Sequence, residues 1–258
     1  MRTNREATLY IRSLKEALGA RLHVVVFPGA GGSSAHFREW AGHLGRDVRL
    51  SVVDPWPLHL AVGDGALADS ARLLLPELFT FQGPLVLAGH SRGAVLAYET
   101  AQHLVAAGAA DRLAALVAMA YRAPSSPPRR RFSREDDGTL RELLRQLGGT
   151  PQEVFDEPEL LDAVLDRLRT ELRAAEGYTD AWAVPLPCPL RLYLGRSDES
   201  VPAAEAGAWQ RSVTGDFAVR MLDGGHFFPF GTGSSRTVAA LLDDTLHLAQ
   251  GGTHDSVR

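Results

Sequence analysis

Six apolar runs alternate with segments of helical periodicity along this chain. Residues 22–27 (LHVVVF), 48–53 (VRLSVV), 84–89 (PLVLAG), 113–120 (LAALVAMA), 189–195 (PLRLYLG) and 217–222 (FAVRML) read as strands. Near-continuous, β-branched-rich runs are the pattern of parallel strands covered on both faces. Helical patterns fall between them, over 35–44, 65–79, 93–108, near 203–213 and near 234–249. The rhythm breaks at 121–137 (YRAPSSPPRRRFSREDD), a loop by composition, and helical patterns follow at 139–147 and 157–176. The expectation is an α/β fold: a mostly parallel sheet with helices on both faces, formed by 1–123 and 184–258, and an inserted helical lid at 124–183. Function in such sheets sits at the carboxyl ends of the strands, so the loops after 27, 53, 89, 120, 195 and 222 carry the candidates.

One of those loops holds Gly89-His90-Ser91-Arg92-Gly93, a G-x-S-x-G phrase between a predicted strand and a predicted helix. That context is a nucleophile elbow, a turn so tight that its flanking residues must lack side chains. Taken alone, the phrase is also compatible with a glycine-rich turn in which Ser91 caps the helix. Partners decide between the two. Asp198 follows the strand at 189–195 in GRSDES, and His226 follows the strand at 217–222 in DGGHFF. The order Ser, Asp, His is that of α/β-hydrolases, and three matches at three strand ends favour a triad. His226 would take the proton of Ser91 as it attacks a carbonyl, and Asp198 would fix the tautomer of His226. The oxyanion of the tetrahedral intermediate needs two backbone N–H groups, expected from Arg92 and from Ala30 in PGAGG. The Arg92 side chain is expected to be solvated. Asp223 reads as a loop brace, and the loop after 120 begins Tyr121-Arg122, so it holds no competing acid.

Composition narrows the choices further. The 258 residues, 45% hydrophobic, suffice for one sizeable core. A formal net charge of −4 gives no sign of nucleic-acid binding. There is no apolar run of membrane-spanning length and no signal-like core at the N-terminus, and Cys188 is the single cysteine, so a cytoplasmic protein is expected. Of the 27 basic residues only Lys15 is a lysine, which excludes a Walker A loop and a Tyr-x-x-x-Lys pair. Nine scattered histidines without H-E-x-x-H give no metal motif, so no metal or cofactor is expected. A rival reading takes GAGGSS as half a dinucleotide fingerprint, with Asp54 ending the next strand as a ribose-binding acid. Its third glycine position is Ser34. That oxidoreductase reading explains the loop and Asp54 alone.

With these residues in hand, the chain resembles the type II, external editing thioesterases of polyketide and nonribosomal peptide assembly lines, over about 22–230. FPGAGGSSAHFREW (27–40) is similar to that family's oxyanion-loop signature, ending in Trp40, and GHSRGAVLAYE (89–99) to its elbow. LRQLGGTPQEVF (144–155) and ELLDAVLDRLRTELRAAEGY (159–178) look like its lid. The resemblance implies hydrolysis of acyl groups from the phosphopantetheine arm of an acyl or peptidyl carrier protein; that chemistry needs no cofactor, and a monomer is expected. Carrier proteins tend to be acidic, and Arg129, Arg130 and Arg131 form a candidate docking patch. Three phrases depart from the family: DPWPLHL at 54–60, Arg169-Thr170-Glu171 in the lid, and Arg92 after the serine. A stand-alone carboxylesterase or a product-releasing cyclase would use the same fold and triad.

Overall fold

The computed structural model describes residues 10–54, 58, 67–128, 130–147 and 150–246. Its strands are Ile11–Lys15 (β1), Leu22–Phe27 (β2), Val48–Val53 (β3), Leu85–His90 (β4), Leu113–Met119 (β5), Leu190–Gly195 (β6) and Phe217–Leu222 (β7). They form one sheet in the order β1-β3-β2-β4-β5-β6-β7. Every neighbouring pair is parallel except β1 with β3. Six strands therefore stand where the apolar runs predict them, within one residue.

β1 is the strand that hydrophobic patterning misses. Its burial alternates poorly, with Ile11 buried and Arg12 and Ser13 exposed. As an edge strand it needs only one partner and one covered face, so it leaves a faint pattern. Its neighbourhood is held by charge as well, with Arg12 Nε 2.5 Å from Asp54 Oδ2. Asp54, the ribose-acid candidate, is thus paired to the edge strand.

Helices cover both faces. Leu67–Thr80 (α2) and Arg92–Ala106 (α3) bury Leu74, Leu78, Val95 and Tyr98 against Val25, Phe27, Leu85 and Leu87 of the sheet. Arg38–His43 (α1) and Ser234–Thr245 (α7) bury Trp40, Val238 and Leu241 against Val24, Val26, Val86 and Val117. Alternate residues of one strand thus enter opposite cores, as the pleat requires. Two predicted helices differ in kind. The 35–44 pattern becomes a 3₁₀ turn, Ser34–Phe37, before α1, and the 203–213 pattern becomes a 3₁₀ segment, Ala203–Ser212. The second follows Pro202, and a small apolar set in it, Ala206 and Trp209, is buried.

Between β5 and β6 the chain leaves the sheet and forms Asp137–Leu147 (α4), Gln152–Asp156 (α5) and Pro158–Glu176 (α6). The single helix predicted at 157–176 is split from a short upstream helix at Glu157, because Pro158 starts α6 at its first turn, where a missing N–H is harmless. Leu140 and Leu144 of α4 and Leu161, Leu165 and Leu168 of α6 make a third apolar cluster. Its one member from the body is Ala30. No helix among the described residues is long and apolar enough to cross a membrane.

β3 lies on one side of β2 and β4 on the other, so strand order reverses between β2 and β4. The glycine loop after β2 and the serine turn after β4 meet at this reversal, where the two loops part and leave a crevice.

Candidate active site

The backbone at Ser91 is strained before any chemistry is considered. Its φ of 53° and ψ of −128° lie outside the regions that L-residues favour. The turn is pinned by Ser91 N–H donating to Met119 C=O at 2.8 Å and Ala94 N–H donating to Ser91 C=O at 2.8 Å. A Cβ at Gly89 would stand 2.2 Å from the Gly93 carbonyl oxygen, and one at Gly93 only 2.0 Å from that of Phe27. Both contacts are with backbone, so no side-chain rotation relieves them. Gly93 lets helix α3 start directly against the end of β2, Gly89 lets it start directly against the end of β4, and the serine is left projecting above the sheet.

Asp198 and His226 come to it from the ends of β6 and β7. His226 Nε2 is 3.0 Å from Ser91 Oγ, and His226 Nδ1 is 3.0 Å from Asp198 Oδ2. An ionised carboxylate carries no proton, so Nδ1 is the donor to Asp198 and Nε2 is left to accept from Ser91. Burial pushes the Asp198 carboxyl up, but hydrogen bonds from His226 and Ser200 outweigh it, and the group lies below its ordinary value of 3.8. Ser200 was not singled out by the sequence. Its Oγ donates to Asp198 Oδ1 at 2.5 Å and its N–H donates to the same oxygen at 2.9 Å. An Asp followed two residues later by Ser is an Asx-turn pattern, the one signal that could have found it.

His90 braces the histidine loop from below. Its Nε2 donates to the His226 carbonyl oxygen at 2.8 Å, and its ring packs 4.9 Å from that of Phe230. Burial, reinforced by the neighbouring His226, drives the His90 pKa down to about 3, so this ring is neutral. Trp40 ties the same loop to α1 through Nε1–H donating to Pro229 C=O at 2.9 Å. Asp223 bridges Arg196 and Arg236, as a loop brace should.

A cavity of about 570 Å³ opens beside Ser91 and His226, walled by Ala30, Tyr121, Phe132, Leu143, Leu172 and Phe227 among others. Arg92 also lines it. Its side chain is half-buried, with Nε buried and without a hydrogen-bond partner among the described residues. The expectation of a solvated side chain is therefore corrected: α3 starts under the inserted helices, so the residue after the serine points beneath them. Ala30 is buried, and neither its N–H nor that of Arg92, at the first position of α3, donates to a protein acceptor among the described residues. Arg130 and Arg131 are exposed; Arg130 pairs with Glu135 at 3.0 Å and lies 4.4 Å over the Phe132 ring. Arg129 and the 55–57 and 59–60 parts of DPWPLHL lie outside the described residues.

The glycine loop is committed to this site. Gly31 N–H, a donor that a pyrophosphate would require, is bonded to Glu171 Oε2 at 2.7 Å. The loop opens into a 3₁₀ turn and the six-residue α1 rather than a long helix. Among the described residues no cluster of His, Cys, Asp and Glu could hold a metal ion. Cys188 is packed, and burial pushes its thiol up to about 12.

A seven-stranded, mostly parallel sheet with a serine elbow and with acid and histidine loops after its last two strands defines an α/β-hydrolase. The family model of the thioesterase domain matches residues 22–245, and the chain belongs to that family as a thioester hydrolase. The thioesterase PikA5 of Streptomyces venezuelae is 33% identical over 233 residues, 87% of this chain and 82% of that protein. Among solved structures, the type II thioesterase YbtT from the yersiniabactin NRPS/PKS biosynthetic pathway superposes with a TM-score of 0.79 at 28% identity, covering 93% of this chain and 99% of that one. RedJ, a thioesterase from the prodiginine biosynthetic pathway in Streptomyces coelicolor, gives 0.73 at 34% identity, covering 86% of this chain and 85% of that one.

Proposed function

We propose that this thioesterase hydrolyses acyl groups from the phosphopantetheine arm of acyl or peptidyl carrier proteins, clearing stalled or misprimed chains in polyketide or nonribosomal peptide biosynthesis. The observation that carries it is the Ser91–His226–Asp198 hydrogen-bonded chain at the wall of a 570 Å³ cavity. Its relatives from polyketide and nonribosomal peptide pathways support the choice of substrate.

Ser91 Oγ attacks the thioester carbonyl while its proton passes to His226 Nε2. Asp198 holds Nδ1–H and stabilises the imidazolium. The carbonyl oxygen becomes an oxyanion that accepts from Ala30 N–H and Arg92 N–H. Collapse expels the pantetheine sulfur, which takes the proton from His226. Water then attacks the acyl-serine, His226 takes its proton, and Ser91 regains one as the acid leaves. Residues 124–183 form the lid over the acyl group, and the enzyme acts as a cytoplasmic monomer.

The Asp198→Asn variant should lose about 10³–10⁴ in kcat, with KM changed far less, because an amide no longer enforces the reactive tautomer. The lowered carboxyl also links to stability. A depressed folded-state pKa stabilises fully above the unfolded value and is lost as pH falls through the folded one. The Tm gap between wild type and Asp198→Asn should therefore narrow below about pH 4. A gap that widened on acidification would contradict this assignment.

Carrier proteins loaded with acetyl, propionyl, hexanoyl and decanoyl groups, assayed beside p-nitrophenyl esters, test the substrate. Turnover of the carrier-bound thioesters is expected; ester turnover alone would make this a stand-alone esterase. The docking patch is tested by Arg131→Glu. KM for a carrier-bound acyl group should rise at least about fivefold relative to KM for the same group on N-acetylcysteamine. An unchanged ratio would remove the patch from the recognition surface.

A further inference from the structure

The acid of the lid phrase, Glu171, is a buried charged group whose position the mechanism above does not use. It lies on α6, is only 2% exposed, and reaches across to the glycine loop. One carboxylate oxygen accepts from Gly31 N–H at 2.7 Å and the other from Arg167 Nε at 2.9 Å. A buried carboxylate is tolerated only when it is paired and hydrogen-bonded, and this one has both a cation and a backbone donor.

The loop it touches is a tight turn. Gly32 N–H donates to Gly29 C=O at 3.0 Å, and Gly31, at φ +68°, occupies the left-handed position of a type II turn. In such a turn the central peptide, Ala30–Gly31, directs its N–H to one side and its carbonyl to the other. Flipping that peptide converts the turn to type I and would aim the Ala30 carbonyl oxygen at the Glu171 carboxylate. The Ala30 methyl is held from the same direction, packed with Leu140, Leu144, Leu165 and Leu168 of α4 and α6. Two independent contacts, a polar one to Gly31 and an apolar one to Ala30, thus run from the inserted helices to the turn that carries the Ala30 N–H.

We infer that Glu171 is a positioning residue: by fixing the central Ala30–Gly31 peptide through Gly31 N–H it anchors the turn, and so the place of the preceding Gly29–Ala30 peptide whose N–H serves the oxyanion, and the oxyanion hole is complete only while α6 is seated on the glycine loop. This rests on the thioesterase reading and on Ala30 as an oxyanion donor. Its consequence is that lifting the inserted helices to admit or release a carrier-bound chain also disables the hole. Hydrolysis is thereby confined to the closed form, without any movement of Ser91, His226 or Asp198, which belong to the sheet loops. The neighbouring Arg169 does a parallel task on the other side of α6, donating to Ser133 C=O at 2.8 Å and Glu135 C=O at 2.7 Å. The lid phrase Arg169-Thr170-Glu171 therefore anchors α6 to the 131–137 strap by one residue and to the active-site loop by the other.

The test compares wild type, Glu171→Ala, Glu171→Gln and Ser91→Ala on one acyl-N-acetylcysteamine thioester. Rates of the proteins that retain Ser91 are normalised to active sites titrated to completion with a fluorophosphonate, and Ser91→Ala, taken per mole of protein, gives the background. Loss of one oxyanion donor costs about 10²–10³ in kcat. Glu171→Ala should lose roughly 10–100-fold in kcat per active site with KM within about threefold, since the amide is loosened rather than deleted. Glu171→Gln keeps an acceptor for Gly31 N–H and should recover most of that loss. A trifluoromethyl ketone analogue, which forms an oxyanion on Ser91, should weaken in proportion to kcat/KM across the series. If Glu171→Ala does not fold, the Glu171→Gln and Glu171→Leu pair carries the same comparison, with the amide again expected to exceed the apolar residue. Equal kcat per active site in all Glu171 variants, or a loss confined to KM, would overturn the inference. Absence of turnover by wild type would instead overturn the thioesterase reading beneath it.

Discussion

Ser91→Ala should abolish thioester turnover while leaving the fold intact. In the proposed mechanism the residue supplies the attacking oxygen, and removal of a triad nucleophile costs on the order of 10⁴-fold or more in kcat, with the remaining catalysis coming from the oxyanion hole and binding. Stability should hardly change, because alanine keeps the strained φ of 53° and loses only the hydroxyl at 3.0 Å from His226 Nε2. Ser91→Gly separates the two roles. It is equally inactive, but it relieves the backbone strain, so its Tm should exceed that of Ser91→Ala, by an amount equivalent to about 1–3 kcal/mol. Thiol release followed with a disulfide reagent, together with thermal melts, checks both halves. Turnover by Ser91→Ala within tenfold of wild type would assign the nucleophile elsewhere. A Gly variant less stable than the Ala variant would mean that the turn is not strained as the dihedral angles indicate.

Gly93→Ala should damage the fold and the site together. Its Cβ would meet Phe27 O at 2.0 Å and Pro28 O at 2.6 Å, main-chain atoms at the end of β2 and the start of the glycine loop. Relief requires α3 to withdraw from β2, which opens the switch-point crevice and moves Ser91 away from Ala30. Forced overpacking of this kind costs about 1–3 kcal/mol in an ordinary core and more where backbone must yield. We expect a loss of about 3–5 kcal/mol by urea unfolding, with kcat on a small thioester reduced at least about 100-fold in whatever folds. Gly42→Ala is the control. It lies in α1, where an added Cβ meets nothing within 4 Å. Replacing a helical glycine there should stabilise the protein by up to about 1 kcal/mol. Equal stability of Gly93→Ala and wild type would show that the two glycines are not what lets the helix start so close to the sheet.

The same geometry explains what could be read from the chain without its structure. Strands β2 to β6 are legible because burial on both faces demands a near-unbroken apolar run, and β7, though an edge strand without a fully buried residue, still carries five apolar residues in FAVRML. The elbow is legible because the clash that excludes side chains at positions 89 and 93 is local to a single turn, so it leaves glycines at fixed spacing. Asp198 and His226 are legible for a related reason: each directly follows a strand whose carboxyl end must face the crevice. β1 is not legible, since an edge position asks little of its side chains.

What tertiary structure decided is everything that depends on distance across the fold. Glu171 and Gly31 are 140 residues apart, and no local pattern distinguishes this acid from the other carboxylates of a long amphipathic helix. Only the docking of α6 turns it from a surface charge into a buried acceptor. Arg92 changes in the opposite sense to its expected environment for the same cause, because the inserted helices roof the start of α3. His90 acquires its role from the loop that arrives from β7, and was visible only as the unspecified letter of a motif; Ser200, two residues from Asp198, had a local signal in the Asx-turn spacing. The sequence by itself determined the strands, the strained serine and the identity of its two partners, since each is a local steric or burial requirement. The folded chain alone decided how the inserted helices grip the glycine loop, since that contact exists only when segments far apart in sequence are packed together.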